Sequence, residues 1–318
     1  MDEAPKTVNR DVKRVAGYVG AADRITVLTG AGISTESGIP DYRGPNGVWT
    51  TNPAAMRQVN IRDYLEDPEV RRDAWQERLH HPAWTATPGA GHRALVELER
   101  EGKLRALITQ NIDGLHQVAG SSATIVLELH GTIHAARCLG CGHRTPMQEQ
   151  LDRVRAGEAD PPCTECGGIQ RSATIAFGQS LDPDVLESAL EASRRCDLFM
   201  AVGTSLTVQP AASLCGYAQR AGARLVIVNA EETPLDDRAD AVLRGSIGDV
   251  LPRLVGGEVK GLRRAPGALD RRVVFLPKDD PNAAWSELQG LFSDDAEPVG
   301  PEGTGPTEAS PDHDPSSS

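Results

Sequence analysis

Five short and almost continuously apolar runs are spread along the chain, with helical patterns between them. The runs are Ile25–Thr29, Arg105–Thr109, Thr124–Leu129, Leu198–Val202 and Arg224–Val228. Runs of this kind are typical of strands that are buried on both faces, as in a parallel sheet. Helical spacing is found in Pro88–Arg100, from Asp182 through Leu190, and in Pro210–Arg220. Asp182 is the expected N-cap of the second helix. The alternation of strand and helix predicts an α/β fold with a doubly wound parallel sheet.

Two polar regions, 45–88 and 131–173, interrupt this alternation. The first has short helical patches, whereas the second has four cysteines and little periodicity. We interpret them as insertions that together form a smaller lobe, helical in the first part and cysteine-bearing in the second. The remaining segments, about 11–44, 89–130 and 174–256, are then expected to form a Rossmann-like core. One domain is therefore predicted over residues 1–256.

Residues 257–318 are expected to form a C-terminal extension. Arg272–Leu276 has a strand pattern and Asn282–Phe292 a helical pattern. From Asp294 to the end there are seven acidic residues and no Lys or Arg, in a segment rich in Pro, Gly and Ser. Such a segment cannot bury enough apolar surface to offset its chain entropy, so disorder is predicted from about residue 294.

Charge and hydropathy narrow the range of partners. The formal net charge of −12 argues against nucleic acid as a partner. Met1–Val15 lacks the apolar run of a signal peptide, and no stretch approaches the ~18–20 apolar residues that cross a bilayer. We therefore expect a cytoplasmic protein that has no membrane partner. We also expect a monomer. Thiols stay reduced in that compartment.

Four of the six cysteines form two pairs, Cys138-Leu-Gly-Cys141 and Cys163-Thr-Glu-Cys166, with 21 residues between the pairs. Two C-x2-C turns supply four thiolates, which complete a tetrahedral shell around zinc. The predicted Zn²⁺ is therefore structural and has no open position for a substrate. A redox C-x-x-C pair, or four incidental cysteines, are the alternatives.

The segment Gly30–Ser34 (Gly-Ala-Gly-Ile-Ser) follows the first apolar run directly. Glycines at a strand-to-helix turn let the backbone approach a phosphate, and the N-terminus of the helix supplies N–H donors. However, the next glycine, Gly38, comes six residues after Gly32, whereas the dehydrogenase pattern has three. The pattern favours nucleotide binding and argues against hydride transfer.

Taken whole, Gly30–Gly44 (Gly-Ala-Gly-Ile-Ser-Thr-Glu-Ser-Gly-Ile-Pro-Asp-Tyr-Arg-Gly) resembles the signature of the sirtuin (Sir2-like) family of NAD-dependent protein-lysine deacylases, bacterial type. Three further blocks match the family in the same order: Thr109–His116, Glu128–Gly131 and Gly203–Leu206. The cysteine pairs fall between the last two of these, where sirtuins carry their zinc module. The resemblance covers about residues 11–255 and implies that residues 1–256 are a catalytic domain.

The resemblance implies roles for individual residues. His130 matches the general base that acts on the ribose hydroxyls, and an imidazole with an unperturbed pKa near ~6.5 suits that role. Asn111 matches a residue at the nicotinamide end and is expected to share in catalysis. Asp113 is an expected ribose contact, with a helix cap as the alternative. The full set of implied NAD contacts is Gly30, Ala31, Gly32, Ile33, Asp41, Tyr42, Arg43, Gln110, Asn111, Asp113, Gly203, Thr204, Ser205, Asn229, Glu231 and Ile247.

The acyl-lysine substrate is expected to bind as an extended strand added between two loops. Its implied contacts are Ile175, Phe177, Gly178 and Leu206. Next to this loop, Gln179 stands where the family commonly has Glu.

In the acyl pocket, Trp75-Gln-Glu-Arg78 aligns with the Tyr-x-x-Arg motif that desuccinylating sirtuins use to bind an acyl carboxylate. Arg78 is retained, but the indole of Trp75 can donate a hydrogen bond and cannot accept one. We therefore expect activity on acetyl-lysine, with acidic acyl groups as secondary substrates.

The resemblance thus implies a NAD-dependent protein-lysine deacylase, an acyltransferase by reaction class, that acts as a deacetylase. It would transfer the acyl group to ADP-ribose and release nicotinamide, with NAD as co-substrate and one structural Zn²⁺. A desuccinylase or other long-acyl deacylase, and a mono-ADP-ribosyltransferase on the same scaffold, are the alternatives.

Overall fold

The computed structural model describes residues 4–255, with side chains from residue 10 onward. The predicted C-terminal extension, with its strand, its helix and its disordered end, lies outside the described residues. The strands are β1 (Ile25–Thr29), β2 (Leu104–Thr109), β3 (Val126–Glu128), β4 (Gly131–Cys138), β5 (Arg144–Pro146), β6 (Gln170–Thr174), β7 (Leu198–Val202), β8 (Arg224–Val228) and β9 (Ala241–Leu243).

Helices connect these strands. The α-helices are α1 (Ala4–Ala21), α2 (Val48–Thr51), α3 (Ile61–Glu66), α4 (Pro68–Leu79), α5 (Ala90–Arg100), α6 (Leu115–Ala119), α7 (Met147–Arg155), α8 (Pro183–Arg195), α9 (Ser213–Arg220) and α10 (Ile247–Val255). Short 3₁₀ helices span Ala31–Ser37, Pro53–Val59, Pro82–Trp84 and Asp236–Arg238. The predicted cap of α8 is confirmed, because the Asp182 carboxylate accepts from the backbone N–H groups of Asp184 and Val185.

The main sheet has six parallel strands in the order β3-β2-β1-β7-β8-β9. All five apolar runs form strands of this sheet, and β1 and β7 are buried along their whole length. The strands that come next in the chain, β2 and β3, lie on one side of β1 in the sheet, and the later strands β7, β8 and β9 lie on its other side. The predicted doubly wound fold is therefore confirmed, and its switch point lies between β1 and β7.

Helices cover both faces of this sheet. On one face, Val15 of α1, Leu95 of α5 and Leu251 of α10 pack in one apolar cluster with Val27 of β1. On the other face, the Thr26 hydroxyl donates to the carbonyl oxygen of Ala192 in α8 (3.0 Å). Among the helices of residues 4–255, none combines the length and the apolar character needed to span a bilayer.

The two insertions pack on each other. Within the second insertion, β5, β4 and β6 form an antiparallel three-stranded sheet. Trp75 of α4, in the first insertion, is buried against Met147 and Leu151 of α7 and Ala136 of β4, in the second. This apolar cluster is distinct from the one beneath the main sheet, so the insertions have a core of their own.

Candidate functional site

The strands β1, β2 and β7 end in register, because Thr29 pairs with both Thr109 and Val202. The last residue of β3, Glu128, is level with them, since it pairs with Thr109. In an open parallel sheet, ligands bind at this carboxyl edge, beside the switch point. The segments that follow these four strands therefore converge on one place.

Three glycines bring the loops after β1 and β7 into contact. The Gly30 N–H donates to the Val202 carbonyl oxygen (3.0 Å), and the Gly32 N–H donates to that of Gly203 (2.9 Å). A Cβ on Gly30 or Gly32 would come within 2.7 or 2.8 Å of Gly203 backbone atoms. Gly203 itself has a φ of 63°, in the left-handed region that favours glycine. The packing of the two loops on each other thus requires glycine at all three positions.

A buried hydrogen-bond network holds the segment after β2. The Asn111 amide donates to the Gly30 carbonyl oxygen and to the Ser34 hydroxyl (both 3.2 Å). Ser34 in turn donates to Asp113 Oδ2 (2.7 Å), and Asp113 Oδ1 accepts from the Leu115 N–H (2.9 Å). The Asp113 carboxylate therefore accepts from the first N–H group of α6, as the capping alternative expects, and also orients Ser34, while its ribose contact stays a prediction.

Two buried histidines, His116 and His92, lie beside this segment. His116 Nε2 lies 2.9 Å from the Thr29 hydroxyl. The Thr29 hydroxyl donates to Thr109 Oγ1 (2.8 Å), and Thr109 Oγ1 in turn accepts from the Asn111 N–H (3.1 Å). The ring of His92 lies 4.9 Å from that of His116. Burial lowers the pKa of His116 to about 3 and that of His92 to about 4, so both rings are neutral at physiological pH.

His130 lies just beyond β3 and is half-buried. Its Nδ1–H donates to the Gln110 carbonyl oxygen (3.0 Å), so in the neutral ring Nε2 carries the lone pair. Burial lowers the pKa of His130 below 6.5, the Gln110 carbonyl partly offsets this, and the charge of Arg43 lowers it further. The ring is therefore a neutral base of fixed orientation at physiological pH.

A cavity of about 540 Å³ opens at this edge of the sheet. All the predicted catalytic, NAD and substrate residues line it except four: Ile33, Asp113, Leu206 and Ile247. Ile33 and Ile247 belong to the apolar cluster of the main sheet, and Asp113 lies behind Ser34. Leu206 is buried with a φ of 53°, a backbone strain typical of functional loops. The ligand roles given to all of these residues, lining or not, remain predictions.

Several lining residues were missed by the sequence analysis. Trp49 lies between the rings of Tyr42 (4.7 Å) and Phe177 (5.5 Å), with the Arg43 guanidinium 4.5 Å from its own ring. The available signal was the position of Trp49 close to the Gly30–Gly44 motif, but Trp75 and Trp84 in the same insertion offer a similar signal. Tyr64, Arg171, Ser172 and Thr174 also line the cavity, at the end formed by the smaller lobe.

The segment around Phe177, which is expected to bind the substrate, is already hydrogen-bonded to the backbone of Val59 and Ile61. The Phe177 N–H donates to the Val59 carbonyl oxygen (2.8 Å), and the Phe177 carbonyl oxygen accepts from the Ile61 N–H (3.0 Å). Both backbone groups of Phe177 are therefore occupied, and the residue offers its exposed ring to the cavity.

The four paired cysteines converge. Their Sγ atoms all lie within 4.8 Å of one another, with 3.5 Å between Cys138 and Cys166 and 3.7 Å between Cys141 and Cys163. Tetrahedral zinc with Zn–S bonds of about 2.3 Å requires S–S separations of about 3.8 Å. The cluster fits a structural zinc site, and none of its cysteines lines the cavity. The four cysteines therefore indicate a zinc that supports the fold of the smaller lobe and does not contact a ligand in the cavity.

Comparison with known proteins decides the family. Residues 30–210 match the Sir2 family. Over 233 residues the chain is 54% identical to NAD-dependent protein deacetylase 2 of Streptomyces coelicolor, an alignment that covers 73% of this chain and 97% of that protein. The chain belongs to the Sir2 family. The resemblance inferred from the motifs is thus confirmed.

Two further comparisons extend the match. This Sir2-family protein is 45% identical over 247 residues to NAD-dependent protein deacetylase 1 of Bradyrhizobium diazoefficiens, which covers 77% of this chain and 95% of the relative. A solved structure described as Sir2 with a p53 peptide and NAD⁺ has a TM-score of 0.69 at 34% identity, and covers 77% of this chain and 97% of that chain. The fold and the arrangement of strands around the cavity are therefore those of Sir2 proteins.

The zinc site gives a testable prediction. We expect one Zn²⁺ per chain in the wild type, and loss of that zinc with unfolding of the smaller lobe in Cys138→Ser, because thiolate ligation couples metal binding to folding. Cys196→Ser, at a buried cysteine outside the cluster, is the matched control and should keep its zinc. Elemental analysis of the purified proteins measures both. Fully active wild type without zinc would contradict the assignment.

Proposed function

We propose that this Sir2-family protein is a NAD-dependent protein-lysine deacetylase. The observation that carries the proposal is that one cavity brings together a neutral, oriented base at His130, the Asn111 amide, and the paired glycine loops of the β1–β7 switch point. NAD supplies the nicotinamide–ribose bond that is broken and the ADP-ribose that accepts the acetyl group. The named activities of the Streptomyces and Bradyrhizobium relatives support the same reaction.

The loops at the switch point would hold the phosphates and the adenosine half of NAD. A phosphate can approach the backbone of Gly30–Gly32 and Gly203–Ser205 closely because the glycines have no side chain, although the N–H groups of the three glycines themselves are taken by backbone carbonyl oxygens. Arg43, which lines the same cavity, adds a positive charge. Asn229 and Glu231 follow β8 at the next position along the carboxyl edge, where hydrogen bonds to ribose hydroxyls are expected.

His130 acts as the general base. Its Nδ1–H is fixed on the Gln110 carbonyl oxygen, so Nε2 is the atom that takes a proton from a ribose hydroxyl. The low pKa caused by burial keeps Nε2 unprotonated before the reaction. Gln110 also donates through its side chain to the Thr204 hydroxyl (2.9 Å), which ties the loop that holds His130 to the β7 loop.

The acetyl-lysine side chain would enter past the aromatic group of Tyr42, Trp49 and Phe177, with the substrate backbone extended beside the Phe177 segment. Because zinc ligation requires reduced thiols, the cysteine cluster supports action in the cytoplasm. We further propose that the enzyme acts as a monomer, with protein substrates as its partners and with neither nucleic acid nor membrane involved.

Replacement of the base tests this assignment. We expect His130→Ala to lower the turnover of an acetyl-lysine peptide by roughly 10²–10⁴-fold, the range for loss of a general base, while NAD binding is retained. His80→Ala, at an exposed histidine that does not line the cavity, is the matched control. Nicotinamide release measures turnover, and calorimetry measures NAD binding. Turnover of His130→Ala at the level of His80→Ala would refute the role of His130.

The pH dependence follows from the direction of the pKa shift. Only neutral His130 is a base, and burial lowers its pKa, so the neutral form persists to a pH below 6.5. We expect kcat/KM for an acetyl-lysine peptide to be constant near neutrality and to fall only as the pH drops through that lowered pKa. An acid limb with its midpoint at or above the ordinary histidine pKa would show that burial does not control this group.

A further inference from the structure

The half-buried side chain of Gln179 is held in one orientation by two donors. Its Oε1 accepts from the Ala176 N–H (2.9 Å) and from Nη1 of Arg171 (2.7 Å). Because an amide accepts only through its oxygen, these two contacts decide which end of the side chain is oxygen and which is nitrogen. The Nε2 amino group has no hydrogen-bond partner in the described part of the chain and is not buried. Since Gln179 lines the cavity, two N–H donors are left available at its wall.

Gln179 also closes the turn that is expected to bind the substrate. Its backbone N–H donates to the Ala176 carbonyl oxygen (3.0 Å), and Gly178 within the turn has a φ of 88°, in the left-handed region. Both backbone groups of Phe177 are occupied, as described above. A peptide that lies beside this turn therefore meets the ring of Phe177 and the amino group of Gln179.

A buried positive charge lies behind the Gln179 amide. Arg171 is 5% exposed, and its guanidinium carbon lies 5.3 Å from the centre of the Tyr64 ring. Its Nη2 donates to Thr174 Oγ1 (3.4 Å), and its buried Nε has no hydrogen-bond partner in the described part of the chain. Burial is the largest effect on the pKa of Arg171 and lowers it to about 10, so the group is charged at neutral pH. A cation that donates to Oε1 polarises the amide and makes its N–H groups better donors.

The charge of Arg171 is not neutralised by a carboxylate. Four acidic residues line the cavity, namely Asp41, Glu77, Glu231 and Glu232. Within residues 10–255, neither these nor any other carboxylate forms an ion pair with Arg171 or a hydrogen bond with the Gln179 side chain. A buried charge without a counter-ion favours an anion in its neighbourhood. A glutamate at position 179 would supply that anion and could only accept, whereas glutamine supplies donors and no charge.

We propose that Gln179, with the charge of Arg171 behind it, makes the enzyme favour peptides that carry an acidic side chain close to the acetyl-lysine. This proposal rests on the proposed deacetylase function and concerns the residues that flank the acetyl-lysine. The Nε2 amino group donates to the carboxylate of a flanking Asp or Glu. A flanking Lys or Arg meets N–H donors and a cation of its own sign, so it is disfavoured.

Gln179→Glu tests the proposal with a side chain of the same size. A glutamate oxygen keeps both acceptor contacts of Oε1, while the other end changes from donor to acceptor and gains a negative charge. Gln148→Glu is the matched control, because it adds the same charge at an exposed glutamine that does not line the cavity. The substrates are acetyl-lysine peptides with Asp, Ala or Lys placed in turn at each of the two positions on either side. The readout is kcat and KM for each peptide.

We expect the wild type to prefer Asp over Lys by about 5-fold at one of these positions, because attraction and repulsion at a partly exposed site each contribute a few-fold. The preference should lie in KM and should shrink in about 1 M salt, where screening is strong. In Gln179→Glu the ratio of Asp to Lys should fall by about 10-fold, and in Gln148→Glu it should not change. A merely structural role of Gln179 would lower the turnover of all three peptides alike and leave the ratio unchanged.

Gln179→Met is a second variant that adds no charge. It removes the donor end, so the preference for Asp over Ala should fall toward unity even though Arg171 is still present. Thermal unfolding of each variant shows whether it is folded.

The outcomes separate this proposal from the proposed function. Wild-type turnover that is equal on the Asp, Ala and Lys peptides, or a preference that Gln179→Glu leaves unchanged, overturns the role of Gln179 and leaves the deacetylase proposal standing. Absence of NAD-dependent turnover on every peptide refutes the proposed function. Calorimetric affinities of the same peptides then decide the charge preference by themselves, with equal affinities for the Asp and Lys peptides overturning it.

Discussion

The contact between the loops after β1 and β7 is the constraint on which the site depends. Gly30 and Gly32 touch the backbone of Gly203 so closely that no side chain fits between them. The Gly30 carbonyl oxygen then accepts from Asn111, and the loop after β2, which includes Asn111, supplies the Gln110 carbonyl that orients His130. A side chain at any of the three glycines would therefore displace the nucleotide loops and the base together.

Burial lowers the pKa of three histidines and of one arginine in and beneath the cavity, with different results for the two kinds of side chain. For the imidazoles of His130, His116 and His92 burial is the largest effect on the pKa and outweighs the opposing effects of Gln110 on His130 and of Asp113 on His92, so the three rings are held neutral. Guanidinium groups respond differently, because their ordinary pKa is so high that Arg171 stays charged even when buried. One cavity thus combines a neutral imidazole at His130 with a buried cation at Arg171.

The fold was predictable from the sequence where the pattern of apolar residues was strong. The central strands are buried on both faces and were found as apolar runs, whereas β9 has three residues and α10 contains Pro252, so both were missed. The helix α1 was also missed, because its charged residues obscured the buried Val12, Val15 and Val19.

Motif resemblance located the residues of the β1, β2 and β7 loops. It did not find Arg171, which lines the cavity and donates a hydrogen bond to Gln179, because no sequence pattern marks a buried arginine within a strand. The family resemblance also assigned Trp75 to the acyl pocket, without revealing that its indole N–H donates to Asp160.

The central claim is that breakage of the nicotinamide–ribose bond is coupled to an acyl-lysine substrate held in one cavity with His130. The most direct measurement is the stoichiometry of products from purified protein, NAD and an acetyl-lysine peptide, with the unmodified peptide as control. The account predicts one nicotinamide and one acetylated ADP-ribose for each lysine released, and no nicotinamide with the unmodified peptide. Nicotinamide released at the same rate without an acyl group, or ADP-ribose recovered on protein, would contradict it.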